Sequence, residues 1–216
     1  MRLWPNGWAV DFHSTYAGSI PVSRSKIGVP FDMRYLLPAL LLLGSCYLPQ
    51  ADTVSSLPRL ATRPVRIATG LASSFRCSGV VIHKNWALTA GHCYSNSLWV
   101  DNIEAQFVSV PNPGWDMTIV YAPGLHSDKD TTWVTQKPQV GDVSILVGWG
   151  CDRQHTKARV IYAKVESVDE RDLTYDQPIC AGDSGGAAFD TEGRLIGLMV
   201  RQVASNHHAV VQYLAE

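Results

Sequence analysis

From about residue 60 onward the chain is one short β-prone run after another. "VRIATG" (65–70), "GVVIHK" (79–84), "WALTA" (86–90), "QFVSV" (106–110), "MTIVYA" (117–122), "TTWVT" (131–135), "VSILVGW" (143–149), "ARVIYAKVESV" (158–168), "GRLIGLMVRQV" (193–203) and "HAVVQYL" (208–214) are rich in Val, Ile, Thr and aromatic residues. Turn-forming residues separate them, and no window holds a sustained helical period of about 3.6 residues. Regularly spaced strands without intervening helices predict an all-β barrel or sandwich. "FDTEGRL" (189–195) reads as a hairpin turn between the last two long strands, and "HSDKDTT" (126–132), the most polar stretch, as a link between two halves.

The totals narrow the function classes. A formal net charge of −1 over 216 residues gives no support for nucleic-acid binding through a basic surface. With 46% hydrophobic and 17% charged residues, the chain can bury a sizeable core.

The first part reads differently. Residues 1–32 carry Pro5, Gly7, Gly18, Pro21, Gly28 and Pro30 and no periodicity, and form a doubtful N-terminal extension. "MRYLLPALLLLGSC" (33–46) then has a start-like Met33, a positive Arg34, an apolar run and a small-residue end. That is a secretory signal pattern, too short for the roughly 20 apolar residues that span a bilayer. A buried core segment is the alternative. Residues 47–59 read as a linker and residues 60–216 as the working domain, split near 126–137. "LGSC" (43–46) also resembles the lipobox of bacterial lipoproteins, which makes Cys46 a candidate lipidation site and membrane attachment point. Without Cys46, the five cysteines leave an even set, Cys77, Cys93, Cys151 and Cys180.

Chemistry concentrates in "CAGDSGGAAF" (180–189), where an acid and a hydroxyl sit together between glycines, just before apolar residues. A serine nucleophile needs a base, a group that orients the base, and donors for the developing oxyanion. His92 in "WALTAGHC" follows an apolar strand and a glycine, as a base held at a strand end would. A zinc site at His207 and His208 is disfavoured, because adjacent strand residues point to opposite faces. No cofactor or metal is expected.

"CSGVVIHKNWALTAGHC" and "CAGDSGG", in that order, resemble the hallmark segments of trypsin-like, chymotrypsin-fold serine proteases of a compact bacterial type, and "VGWG" (147–150) resembles a further family segment. The resemblance covers about residues 60–214. It implies two antiparallel six-stranded β-barrels with the site in the cleft between them. It implies a serine endopeptidase acting on protein or peptide substrates, expected to be monomeric; the segment at 33–46 adds export, to the cell envelope as a lipoprotein or by secretion. It implies His92 as general base, Ser184 as nucleophile and the N–H groups of Gly182 and Ser184 as the oxyanion hole. The orienting acid lies between His92 and Ser184; among Asp101, Asp116, Asp128, Asp130, Asp142, Asp152, Asp169, Asp172, Asp176 and Asp183, the segment "GWDMTIVYA" favours Asp116, with apolar or small neighbours and a low dielectric around it.

Asp183 is the family's structural acid, usually paired with a newly cut amino terminus. "RIATG" (66–70) lies too close to Cys77 for that role and reads as the first strand, so the partner of Asp183 stays open. The specificity position falls on Pro178, with Ile179 next, and the substrate strand on Val200, Arg201 and Gln202. No carboxylate stands at Pro178, so basic P1 residues are not expected, and Arg201 tilts the expectation toward apolar or acidic ones. The resemblance implies a Cys77–Cys93 bridge. Cys180 lacks the family's downstream partner; the loop after "VGWG" runs beside the residues before the serine in that family, which points to Cys151–Cys180. Two other readings compete: a non-catalytic binding module on the same fold, and an α/β-hydrolase esterase through the Gly-x-Ser-x-Gly string in "GDSGG". The order of His before Ser and the absence of helices oppose the second.

Overall fold

A computed structural model describes residues 60, 62–69, 75–95, 97–109, 114–127, 131–151 and 157–214. The extension, the signal and lipobox segment with Cys46, and residues 47–59 lie outside the described residues. No helix among the described residues is long and apolar enough to cross a membrane.

Among the described residues, twelve antiparallel strands form two closed six-stranded barrels. The first comprises β1 (Pro64–Thr69), β2 (Phe75–His83), β3 (Trp86–Thr89), β4 (Leu98–Val100), β5 (Ile103–Ser109) and β6 (Thr118–Tyr121), paired in the order β1-β2-β3-β6-β5-β4 and closed by β4 on β1. The second comprises β7 (Val143–Gly148), β8 (Arg159–Val168), β9 (Asp172–Pro178), β10 (Ala187–Phe189), β11 (Leu195–Gln202) and β12 (His208–Tyr213), in the order β10-β11-β12-β9-β8-β7. Closure removes free sheet edges and gives each strand an inner face to fill. In β8 the alternation is direct: Ile161, Ala163 and Val165 are buried, Tyr162, Lys164 and Glu166 exposed. The buried residues meet Leu146, Leu173, Tyr175, Ile196 and Val211 in one core.

β12 breaks the alternation, with every residue from Ala209 to Tyr213 buried. Val211 and Tyr213 enter the core, yet Gln212 between them is also buried, at 8% exposure, because its amide oxygen accepts the Asp116 N–H from the first barrel. "TTWVT" forms no barrel strand. Both barrels close without it, and Trp133 makes one parallel bridge to Leu195, just before the pairing of β11 with β12 begins at Gly197. β4 and β9 were not apparent in the sequence pattern. The turn "FDTEGRL" does join two strands, although the one before it, β10, has three residues.

Candidate active site

β3 and β6 are paired neighbours, with Thr89 opposite Thr118. The chain leaving β3 and the chain entering β6 therefore lie side by side. Gly91–Cys93 forms a single 3-10 turn after β3, and Asp116 stands two residues before β6. This register brings together His92 and Asp116. One carboxylate oxygen, Oδ1, accepts the main-chain N–H of His92 at 2.8 Å; Oδ2 lies 2.6 Å from His92 Nδ1. A carboxylate accepts, so Nδ1 carries the proton and Nε2 keeps its lone pair. A Cβ on Gly91 would stand 2.9 Å from Asp116 Oδ1, so the glycine before the histidine leaves room for the acid. Cys93 is bridged to Cys77 of β2, which anchors the turn that carries His92.

The expected low-dielectric enclosure of Asp116 is not what the structure shows. The side chains of Asp116 and His92 are 37% and 47% exposed. Hydrogen bonds fix the carboxylate instead, from both His92 groups, while Gln212 Oε1 receives the Asp116 N–H at 2.9 Å.

The serine turn lies between β9 and β10. Ser184 is half-buried, and its carbonyl accepts the Ser78 N–H of β2 at 2.8 Å. The Cys93 sulfur is 3.8 Å from the same oxygen. Gly185, at φ +80°, is where the turn meets the first barrel. A Cβ there would overlap the Ser78 carbonyl and Thr89 Oγ1 and stand 2.7 Å from the Ala90 nitrogen. Ser184 is thus seated against the strand end that leads into His92. Gly182, at φ +101°, accepts a hydrogen bond from Ser78 Oγ at 2.7 Å through its carbonyl. Among the described residues, neither the Gly182 nor the Ser184 N–H donates a hydrogen bond. Both carbonyls are thus taken up by Ser78.

Asp183, 1% exposed, points inward between these residues. Its Oδ1 accepts the Gly150 N–H at 2.7 Å; its Oδ2 accepts the Cys180 N–H at 2.9 Å and Arg159 Nη1 at 3.2 Å. Cys151 and Cys180 are bridged, with Cα atoms 5.2 Å apart.

The candidate substrate wall follows. Ile179 is buried and Pro178 half-buried. Gln202 Nε2 donates to the Ile179 carbonyl at 2.6 Å, and Gln202 Oε1 lies 2.9 Å from His207 Nδ1. β10 pairs with β11 only as far as Leu198, and Met199 exchanges hydrogen bonds with Gly185 and Gly186. Beyond it, the described ladder of β11 runs to β12 alone, through Arg201 and Gln202, with Val200 in a register shift. Arg201 is committed to Asp172, 2.5 Å away, so the case for acidic P1 residues loses its cation. His208 faces Glu166, so the two adjacent histidines serve different partners.

Three further residues join this region without a motif to mark them in the sequence: Ser78, Gln212 and Arg159. Ser78 is quoted in "CSGVVI", but a small hydroxyl after a cysteine signals nothing until the two barrels meet. Gln212 offered a weak signal, a polar residue inside the apolar run "HAVVQYL".

A family model described as Trypsin matches residues 59–211. Among curated relatives, Kallikrein 1-related peptidase b3 of Mus musculus is 28% identical over 41% of this chain and 48% of its own length, so the chain spans about half of that relative. Kallikrein-4 of Homo sapiens is 25% identical over 64% of this chain and 71% of its own length. Among solved structures, the serine endoprotease from Yersinia pestis superposes with a TM-score of 0.60 at 22% identity, over 72% of this chain and 60% of that one.

Proposed function

The chain belongs to the trypsin family of serine-type endopeptidases, and from that premise we propose that it hydrolyses peptide bonds through His92, Asp116 and Ser184. The observation that carries the reading is the two-point contact of the Asp116 carboxylate with His92. Held this way, the imidazole keeps one tautomer, with Nε2 as the base.

In the proposed reaction Ser184 Oγ attacks the substrate carbonyl carbon and passes its proton to His92 Nε2. The oxyanion is received by the N–H groups of Gly182 and Ser184. The imidazolium, stabilised by Asp116, returns the proton to the leaving amine as the C–N bond breaks. Water then repeats the sequence on the acyl-enzyme: it loses a proton to His92 and releases the acid and the free serine. A peptide substrate adds as a strand beside Val200, Arg201 and Gln202, where the described pairing of β11 is one-sided. Pro178 and Ile179 bring no charge to the pocket and Gln202 reaches across to Ile179, which favours uncharged, apolar P1 residues.

Export fits the same reading, since two disulfides persist in oxidising compartments. The signal segment at 33–46, a lipid on Cys46 and a monomeric working form complete the proposal; they rest on the sequence. Cleavage of a peptide library by the full chain tests the activity. Cuts after uncharged residues, absent with Ser184→Ala, support it; no cleavage by the native protein contradicts it, and cuts after Arg or Lys contradict the pocket assignment.

A further inference from the structure

We propose that Arg159 is a positioning residue that sets the oxyanion turn, supplying from inside the fold a cation for Asp183, so that the site assembles without any newly cut amino terminus. The proposal rests on the serine mechanism above and adds how that site is switched on.

Asp183 sits at the middle of the turn, flanked by the two residues whose amides face the oxyanion. At 1% exposure its carboxylate has lost nearly all contact with water, and a buried charge without a counter-charge costs several kcal/mol. Arg159 answers that need. Its side chain is only 11% exposed and lies 3.2 Å from Asp183 Oδ2. Nη2 donates to the Pro178 carbonyl at 2.8 Å, and Nη1 also packs against the bridged sulfurs of Cys151, at 2.6 Å, and Cys180, at 3.4 Å. One guanidinium thus touches four residues on the two chain segments that meet beneath the serine.

The backbone gives this cation a fixed origin. Arg159 opens β8 and pairs with Gly148, the last residue of β7. Two residues on, Gly150 approaches so closely that a Cβ would stand 2.6 Å from Asp183 Cγ, while its N–H binds Oδ1. Burial lowers the Arg159 pKa, and the Asp183 charge opposes that shift; an arginine stays protonated regardless. A planar fork with several donors can hold the carboxylate, the Pro178 carbonyl and the sulfurs at once, which a single terminal ammonium cannot. The described part of β1 is committed elsewhere: it pairs with β2 and β4 in the first barrel.

The test uses the full chain with its amino group free or acetylated, and the variants Arg159→Met and Arg159→Lys. Two readouts are taken: fluorophosphonate labelling with peptide hydrolysis, and hydrogen exchange across residues 180–186. The expected result is equal activity and equal protection for the free and acetylated chains, still of full-length mass. Arg159→Met should lower kcat about 100-fold, the loss expected when oxyanion donors are misplaced, with KM changed little. Its exchange should rise at 180–186 and not in β2 or β12. Arg159→Lys should recover part of kcat, and added guanidinium should restore part of the activity of Arg159→Met. A gain of activity on removal of an N-terminal segment, loss of activity on acetylation, or unchanged protection of 180–186 in Arg159→Met would overturn the proposal. If the native protein shows a protected turn that Arg159→Met loosens, yet neither hydrolyses nor labels, the serine mechanism fails while Arg159 keeps its positioning role. If Arg159→Met does not fold, Arg159→Lys with intact protection but a normal kcat for peptide hydrolysis and a normal labelling rate argues against the fork and for a bare charge, which also contradicts the geometry assigned to it.

Discussion

Asp116 binds His92 twice, taking its main-chain N–H on Oδ1 at 2.8 Å and facing its Nδ1 with Oδ2 at 2.6 Å. Asparagine at 116 would keep the shape but place an amide that can donate where a carboxylate only accepts, so the imidazole would be free to turn its basic nitrogen the wrong way. Asp116→Asn should lower kcat roughly 10⁴-fold with the fold retained. Steady-state kinetics beside circular dichroism will read this; a loss below about 10-fold would show that another acid orients the base.

Ser78 joins the barrels through three bonds: its N–H to Ser184, its Oγ to the Gly182 carbonyl at 2.7 Å, and its Oγ again as acceptor for the Trp149 N–H at 2.8 Å. It is fully buried, so Ser78→Ala leaves two main-chain groups without this partner. The expected cost is about 1–3 kcal/mol of stability. Urea unfolding should show the drop, and kcat should fall further than KM rises. An unchanged midpoint with unchanged kcat would remove Ser78 from the account.

The Cys151–Cys180 bridge closes a loop with a sequence separation of 29. Chain entropy alone assigns such a bridge about 3–4 kcal/mol. Cys151→Ser with Cys180→Ser should therefore lower the unfolding free energy by that amount, and the denaturation midpoint with it, in the absence of reductant. Equal midpoints for the native and doubly substituted proteins would mean that the bridge does not form in solution.

Tyr175 is fully buried, and its hydroxyl donates to Ser144 Oγ at 3.1 Å. Burial pushes its pKa up to about 12. The unfolded chain would ionise this phenol near pH 10. The stabilisation is thus fully present below pH 10 and is lost as pH rises from there toward about 12, by an amount on the order of 2 kcal/mol. Tyr175→Phe should flatten that part of the alkaline stability curve. Parallel curves for the two proteins above pH 10 would contradict the assignment.

Much of the fold could be read from local pattern. β2, β3, β6, β7, β8, β11 and β12 are dense in branched and aromatic residues and end at turn residues. β4 could not be read so easily, since "LWV" is only three residues long. The cue lay in the next pair, Asp101 and Asn102, both at positive φ, as a tight two-residue hairpin requires. β9, "DLTYDQP", carries two aspartates and a proline and reads as loop until its Leu173 and Tyr175 are seen in the core. "TTWVT" erred the other way: propensity was sufficient, but no sheet edge was open to it. His92, Asp116 and Ser184 were named from motifs and order. Their neighbours were not: Ser78 and Gln212 reach across the barrel interface, at sequence separations of 104 and 96 from Gly182 and Asp116, and Arg159 meets Asp183 within the second barrel at a separation of 24, from a strand whose pattern says nothing of the serine turn.

The central claim is that Ser184 is a nucleophile activated by His92. Fluorophosphonate treatment of the full chain, followed by peptide mapping, tests it most directly. One adduct is expected, on the peptide containing Ser184, which forms in the native protein and is lost in both Ser184→Ala and His92→Ala while each variant keeps the native β-sheet spectrum. No adduct in the folded native protein, or labelling that persists at the same rate in His92→Ala, would contradict it.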